Sequence, residues 1–136
     1  GDLFHSSINS EWLLFEKLIL SFPKVEFELI VGNHDIIKKE NFDKLNIELV
    51  DERIIGPILL SHEPKESDEY YVLSGHIHPG VKLNGKGKQK LLLPCFYFGE
   101  KQGLLPAFGS LTGLVNIKVN KKDKVFIIAN QEVISV

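Results

Sequence analysis

Apolar positions recur at three- and four-residue spacing between residues 9 and 22. Trp12, Phe15, Ile19 and Phe22 form the stripe, Leu14 and Leu18 widen it, and Glu16, Lys17 and Ser21 face away. This spacing predicts an amphipathic helix from about Asn9 to Phe22, closed by Pro23. Ser6, Ser7, Asn9 and Ser10 are its candidate N-caps. Such a stripe serves core packing far more often than it serves a cofactor. The pattern then shortens. Residues 26–31 predict a strand, residues 38–45 a short helix, Ile47–Val50 a short strand, Pro57–Ser61 another, and residues 70–74 another after the polar loop Lys65–Glu69. Past His78 the texture is all-β. Val81–Leu83 and Gln89–Phe98 flank the glycine-rich Asn84–Gly87 and predict a hairpin. Leu114–Val119 and Val125–Ala129 flank a lysine-rich turn, and Glu132–Val136 predicts a last short strand. The first half is therefore α/β and the second mostly antiparallel β. No linker divides the chain, which predicts a single domain over residues 1–136.

The ends of the apolar runs carry the chemistry. Phe27–Val31 stops abruptly at Gly32-Asn33-His34-Asp35. Ile58-Leu59-Leu60 runs into Ser61-His62-Glu63-Pro64, and Tyr71-Val72-Leu73 into Ser74-Gly75-His76-Ile77-His78-Pro79. All 5 histidines lie in or beside these segments or near the opening Gly1-Asp2. A lone histidine is usually a surface or hydrogen-bonded residue. A His-x-His pair, a further histidine after a strand and an Asn-His-Asp cluster after a third strand reverse that expectation. His76 and His78 would share a face if the segment were extended, and Pro79 biases His78 that way. Carboxyl ends of neighbouring strands are also where open α/β sheets bind ligands. Carboxylate, amide oxygen and imidazole together favour manganese, iron, zinc or nickel over calcium.

Composition narrows the setting. The 136 residues can bury a core, and 43% hydrophobic with 25% charged residues is ordinary for a globular protein. A net charge of −2 gives no overall attraction to nucleic acid or anionic membrane, so phosphate binding needs local positive charge. Lys82, Lys86, Lys88 and Lys90 are candidates at the hairpin tip, although a solvated turn explains them as well. Lys121, Lys122 and Lys124 belong to the surface. The apolar runs fall short of a membrane span. The single cysteine, Cys95, forms no internal disulfide and suits a reducing, cytoplasmic setting; burial as a small hydrophobe accounts for it. Leu105-Pro106-Ala107-Phe108-Gly109 is either a loop packed under the site or a plain turn. The chain contains no methionine, and Gly1-Asp2 has the look of a strand end, so a piece of a longer protein is expected.

Taken in order, Gly1-Asp2, Gly32-Asn33-His34-Asp35, His62 and Gly75-His76-Ile77-His78 resemble the signature of the calcineurin-like metallophosphoesterases. The longer motifs around them, with Leu93-Pro94-Cys95-Phe96, Leu105–Gly109 and Thr112-Gly113, resemble the DNA-ligase-associated branch, related to repair nucleases. The resemblance implies a four-layer α/β/β/α sandwich with N-terminal strands missing from this chain. It implies a dinuclear centre, manganese foremost, with Asp2 bridging two divalent cations and a bridging hydroxide as nucleophile. Asn33, His62 and His76 would complete one metal site, and His78 would belong to the other. His34 would serve the leaving group with Asp35 orienting its imidazole, and His5 would help position the phosphate. The family's Asp-x-His motif is absent from these residues and is expected upstream, the other reading being a degenerate one-metal relative. The implied activity is phosphodiester hydrolysis on DNA, with a ligase, helicase or exonuclease as repair partners and no membrane. The alternatives are a phosphomonoesterase and a catalytically silent metal-binding module that docks a repair partner.

Overall fold

The computed structural model describes residues 1–4, 8–85, 87, 89–109 and 112–136. It is a mixed α/β chain with two compact units, Gly1–Arg53 and Ile54–Val136. Among the described residues no helix is long and apolar enough to cross a membrane.

The first unit contains α1 (Ser10–Leu20), β1 (Phe27–Ile30), α2 (Lys39–Asp43) and β2 (Ile47–Val50). Asn9 caps α1, its Oδ1 accepting hydrogen bonds from the backbone N–H groups of Glu11 at 2.9 Å and Trp12 at 3.3 Å. Two donors that the first turn cannot satisfy are thereby satisfied. The buried stripe is narrower than the periodicity predicts. Trp12 and Ile19 are buried and Phe15 packs against them, whereas Leu14, Leu18 and Phe22 are at least half exposed. The core is small and aromatic, and Phe4 and Phe42 fill the space that further leucines would have taken. Phe4 and Trp12 lie 5.4 Å apart, Trp12 and Phe42 5.2 Å apart and nearly perpendicular. Edge-to-face pairs of this kind add about 0.5–1.5 kcal/mol beyond their buried area. β1 and β2 run parallel, Phe27 opposite Ile47 and Ile30 opposite Val50, so both strands end at the same edge. Gly32 follows β1 at that edge.

β3 (Glu52–Ile55) spans the boundary of the two units, and the second is built on a sheet that continues through β4 (Ile58–Ser61), β5 (Tyr71–Ser74), β6 (Pro79–Asn84), β7 (Lys90–Phe98), β8 (Gln102–Leu104), β9 (Val115–Asn116), β10 (Lys124–Ala129) and β11 (Glu132–Ser135). Its main path runs β11-β10-β7-β8-β5-β4-β3, with β6 paired to both β7 and β9. The predicted hairpin is present as β6 and β7, Leu83 opposite Leu91. Cys95, Val125 and Ile127 form the buried centre, flanked by Val81, Leu83, Leu93, Tyr97 and Ile117. Asn130 and Gln131 both have positive φ, the geometry of the tight turn that joins β10 to β11.

Two strands were not predicted, and the long strand expected at Leu114–Val119 shrinks to β9. β3 is short and exposed. β8 contains Gly103, which reads as a breaker in sequence. In the fold Gly103 is needed for packing, because a β-carbon there would lie 2.9 Å from Leu73 Cδ1 and 3.0 Å from Phe98 Cδ1. β8 pairs antiparallel with β7 and parallel with β5, and β5 in turn runs parallel to β4. Ser61, Ser74 and Leu104 are therefore neighbours at one edge of three parallel strands, and the loops after them begin side by side.

Candidate metal centre

In the first unit the candidate residues meet around the turn after β1. Asp35 N–H donates to Gly32 O at 3.3 Å and closes the turn. The Asp35 carboxylate then gathers the main chain about it. Its Oδ2 accepts from Gly32 N at 2.8 Å and Asp2 N at 2.8 Å, and its Oδ1 accepts from Leu3 N at 2.7 Å and Phe4 N at 3.3 Å. Asp2 answers, with Oδ1 accepting from His34 N at 2.9 Å. Asp2 and the Gly32–Asp35 turn are thus locked together by reciprocal charge-assisted bonds. Asp35 was expected to serve the His34 imidazole. Its two oxygens each take two backbone donors, which hold the chain of Asp2. Asn33 and His34 are exposed at the tip of the turn.

Gly32 itself was not singled out from sequence. A β-carbon there would overlap Asp2 Oδ1 and Asp2 N and lie 2.9 Å from Asp2 Cγ. Asp2 has φ of 58, a left-handed conformation uncommon outside glycine. Such backbone persists only where surrounding bonds over-determine it, as the Asp35 carboxylate does here.

In the second unit, His62 follows β4 and His76 follows β5. His76 Nδ1 and His62 Nε2 lie 3.2 Å apart, with the rings 5.0 Å between centroids and inclined at 76°. His62 is 8% exposed, so its ring is largely removed from water. Metal–nitrogen bonds of about 2.0–2.1 Å at tetrahedral or right angles place two ligand nitrogens about 2.8–3.4 Å apart. The observed separation falls inside that window, so this pair fits a shared cation. It equally fits one imidazole donating to the other.

His76 and His78 do not lie on extended chain, contrary to the sequence expectation. Both are left-handed, with φ of 59 and 52. Ile77 N–H donates to Gly75 O at 2.7 Å, and His78 O accepts from Val115 N at 3.0 Å. One local and one long-range bond hold this geometry against the preference that Pro79 imposes on its predecessor. Within this unit the structure pairs His62 with His76, while His78 occupies the second bend of the same kinked segment. His5 lies outside the described residues, as do Lys86 and Lys88; Lys82 and Lys90 are exposed.

Two serines at the strand ends also escaped the sequence analysis. Ser61 Oγ donates to Glu63 O at 2.7 Å, bracing the His62 loop. Ser74 Oγ is buried without a hydrogen-bond partner among the described residues, two positions before His76. A hydroxyl closing an apolar run just ahead of a histidine was the available signal. A cleft of about 820 Å³ opens elsewhere in this unit, among Lys65–Asp68, Gly99–Gln102 and Asn120–Asp123. No histidine lines it, and the Lys101–Asp68 and Tyr97–Asp123 contacts there satisfy one another.

The fold is similar to the crystal structure of Pseudomonas putida nuclease MPE, with a TM-score of 0.77 and 31% sequence identity over 93% of this chain. The chain spans 61% of the length of that nuclease chain. No protein-family profile matches the sequence, and no curated protein matches it.

Proposed function

We propose that this chain is part of a metal-dependent phosphodiesterase acting on DNA, within a single metallophosphoesterase domain of the four-layer α/β/β/α type. The observation that carries the reading is the His62–His76 nitrogen pair at a spacing suited to one cation, in a fold shared with a nuclease. Asp2, Asn33, His62, His76 and His78 would hold two divalent cations, manganese first among those this donor set favours. Bound cations supply positive charge to the phosphoryl oxygens and lower the pKa of a water. The rest of the chemistry falls to the chain itself. His34, presented at the tip of the turn, stabilises or protonates the departing oxygen. Asp35 keeps that turn and Asp2 in register. His5 helps place the substrate phosphate. A cytoplasmic DNA-repair role beside a ligase, helicase or exonuclease follows from the motif resemblance.

The test is metal content measured alongside turnover on the full-length protein. Phosphodiester and phosphomonoester model substrates, then single-stranded DNA, should separate the readings. Diester hydrolysis that a chelator abolishes and manganese restores is expected. Stoichiometric metal without hydrolysis of any diester would instead favour a silent docking module. Preference for the monoester would favour a phosphomonoesterase.

A further inference from the structure

The loop between β8 and β9 has a position that neither the motif resemblance nor the sequence pattern assigns. It leaves the sheet where Leu105 N–H donates to Ser74 O at 2.8 Å, and it rejoins where Val115 N–H donates to His78 O at 3.0 Å. The anchors therefore fall on Ser74, just before Gly75-His76-Ile77-His78, and on His78, its last residue. Between them Phe108 is exposed to 109% of its reference area, while Leu14, the next most exposed large apolar side chain among the described residues, stands at 67%. The loop was expected either to pack under the site or to be a plain turn. Phe108 packs under nothing. Three residues span at most about 11 Å, so Phe108 cannot lie farther than that from Leu105 and its bond to the histidine segment. Thr112 Oγ1 donates to Gly109 O at 3.1 Å, bracing the chain just after the ring.

A fully exposed aromatic ring costs hydration free energy and gives the fold no packing in return. On a loop tethered to the histidine segment, and with that site read as one for phosphodiesters, the ligand with a matching flat apolar face is a nucleobase. We propose that Phe108 stacks on an unpaired base of a single-stranded polynucleotide whose backbone lies at the His62–His76 site; this rests on the phosphodiesterase reading above. Duplex bases are already stacked, so the ring selects single strands or frayed ends.

The experiment compares binding of two labelled strands of equal length and charge, a single-stranded DNA dodecamer and its abasic counterpart, by fluorescence anisotropy. The unmodified full-length protein should prefer the base-bearing strand. Phe108→Ala should weaken that binding about 5- to 150-fold and erase the preference, the range of one lost base stack. Phe108→Trp should retain it, which a merely structural role would not require. Equal affinity of Phe108→Ala and the parent for the base-bearing strand would overturn the inference, as would a parent protein indifferent to the bases. A parent that prefers bases yet hydrolyses no diester would leave the stacking role standing and sink the catalytic reading instead.

Discussion

Gly32 lies against Asp2 so closely that no side chain fits between them: an added β-carbon would overlap both the Asp2 backbone nitrogen and its carboxylate. Gly32→Ala should therefore displace Asp2 without touching its chemistry. Overpacking of this kind costs about 1–3 kcal/mol. Thermal melts should show that loss, and bound metal should fall with it. A variant with unchanged melting and metal content would mean that Asp2 moves aside freely, and the proposed bridging role would lose its support.

Asp35 is the other half of this arrangement. Asp35→Asn keeps the shape but leaves one oxygen where there were two, and turns an N–H₂ group toward backbone donors. With two backbone N–H groups left unpaired, a loss of about 1–3 kcal/mol is expected. Activity should fall through misplacement of Asp2 and His34, so added manganese should recover part of it. An Asp35 that acted only on the His34 imidazole would give full stability and no such recovery.

His34→Ala removes the acid–base partner and keeps the backbone N–H that donates to Asp2. Turnover should drop by ~10²–10⁴ with metal content nearly intact. His62→Ala should do the reverse in order of cause, lowering metal content first and activity as a result. Atomic absorption beside initial rates distinguishes them; a parallel loss of metal in both variants would reassign His34 as a ligand.

Much of this arrangement was legible in the sequence because it depends on local pattern. The helix cap at Asn9, the β6–β7 hairpin and the histidines at strand ends all follow from neighbours a few residues apart. What escaped depends on partners far along the chain. The strand at Gly103 was missed because Leu73, which crowds it and lies in the strand it pairs with, is thirty residues away in sequence. The left-handed turns at His76 and His78 went unseen because Val115, more than thirty residues on, helps to fix them. Leu14 and Leu18 fit the helical period, yet period alone does not reveal how wide a face the core accepts.

Cys95 is fully buried, and burial pushes its thiol above the ordinary value. Tyr97 is raised as well, by burial first and then by its hydrogen bond to Asp123. Both groups favour the neutral form in the folded state. Their contribution is complete below the unfolded values, about 8.5 for the thiol and about 10 for the phenol, and is lost as pH rises through the higher folded ones. Urea midpoints should hold steady through neutrality and fall from about pH 8.5 upward, less steeply in Tyr97→Phe above about pH 10. A disulfide reagent should label Cys95 only as the protein unfolds; rapid labelling of the native chain would contradict its burial.

The two bonds that tether the β8–β9 loop have a spectroscopic use. The amides of Leu105 and Val115 donate to the carbonyls of Ser74, just before the histidine segment, and of His78, its last residue, so their exchange with deuterium tracks how often that segment opens. A cation that joins His62 to His76 should slow both together, even where catalysis is too weak to measure. Two amides of the supporting loop would then report occupancy at a centre they do not touch.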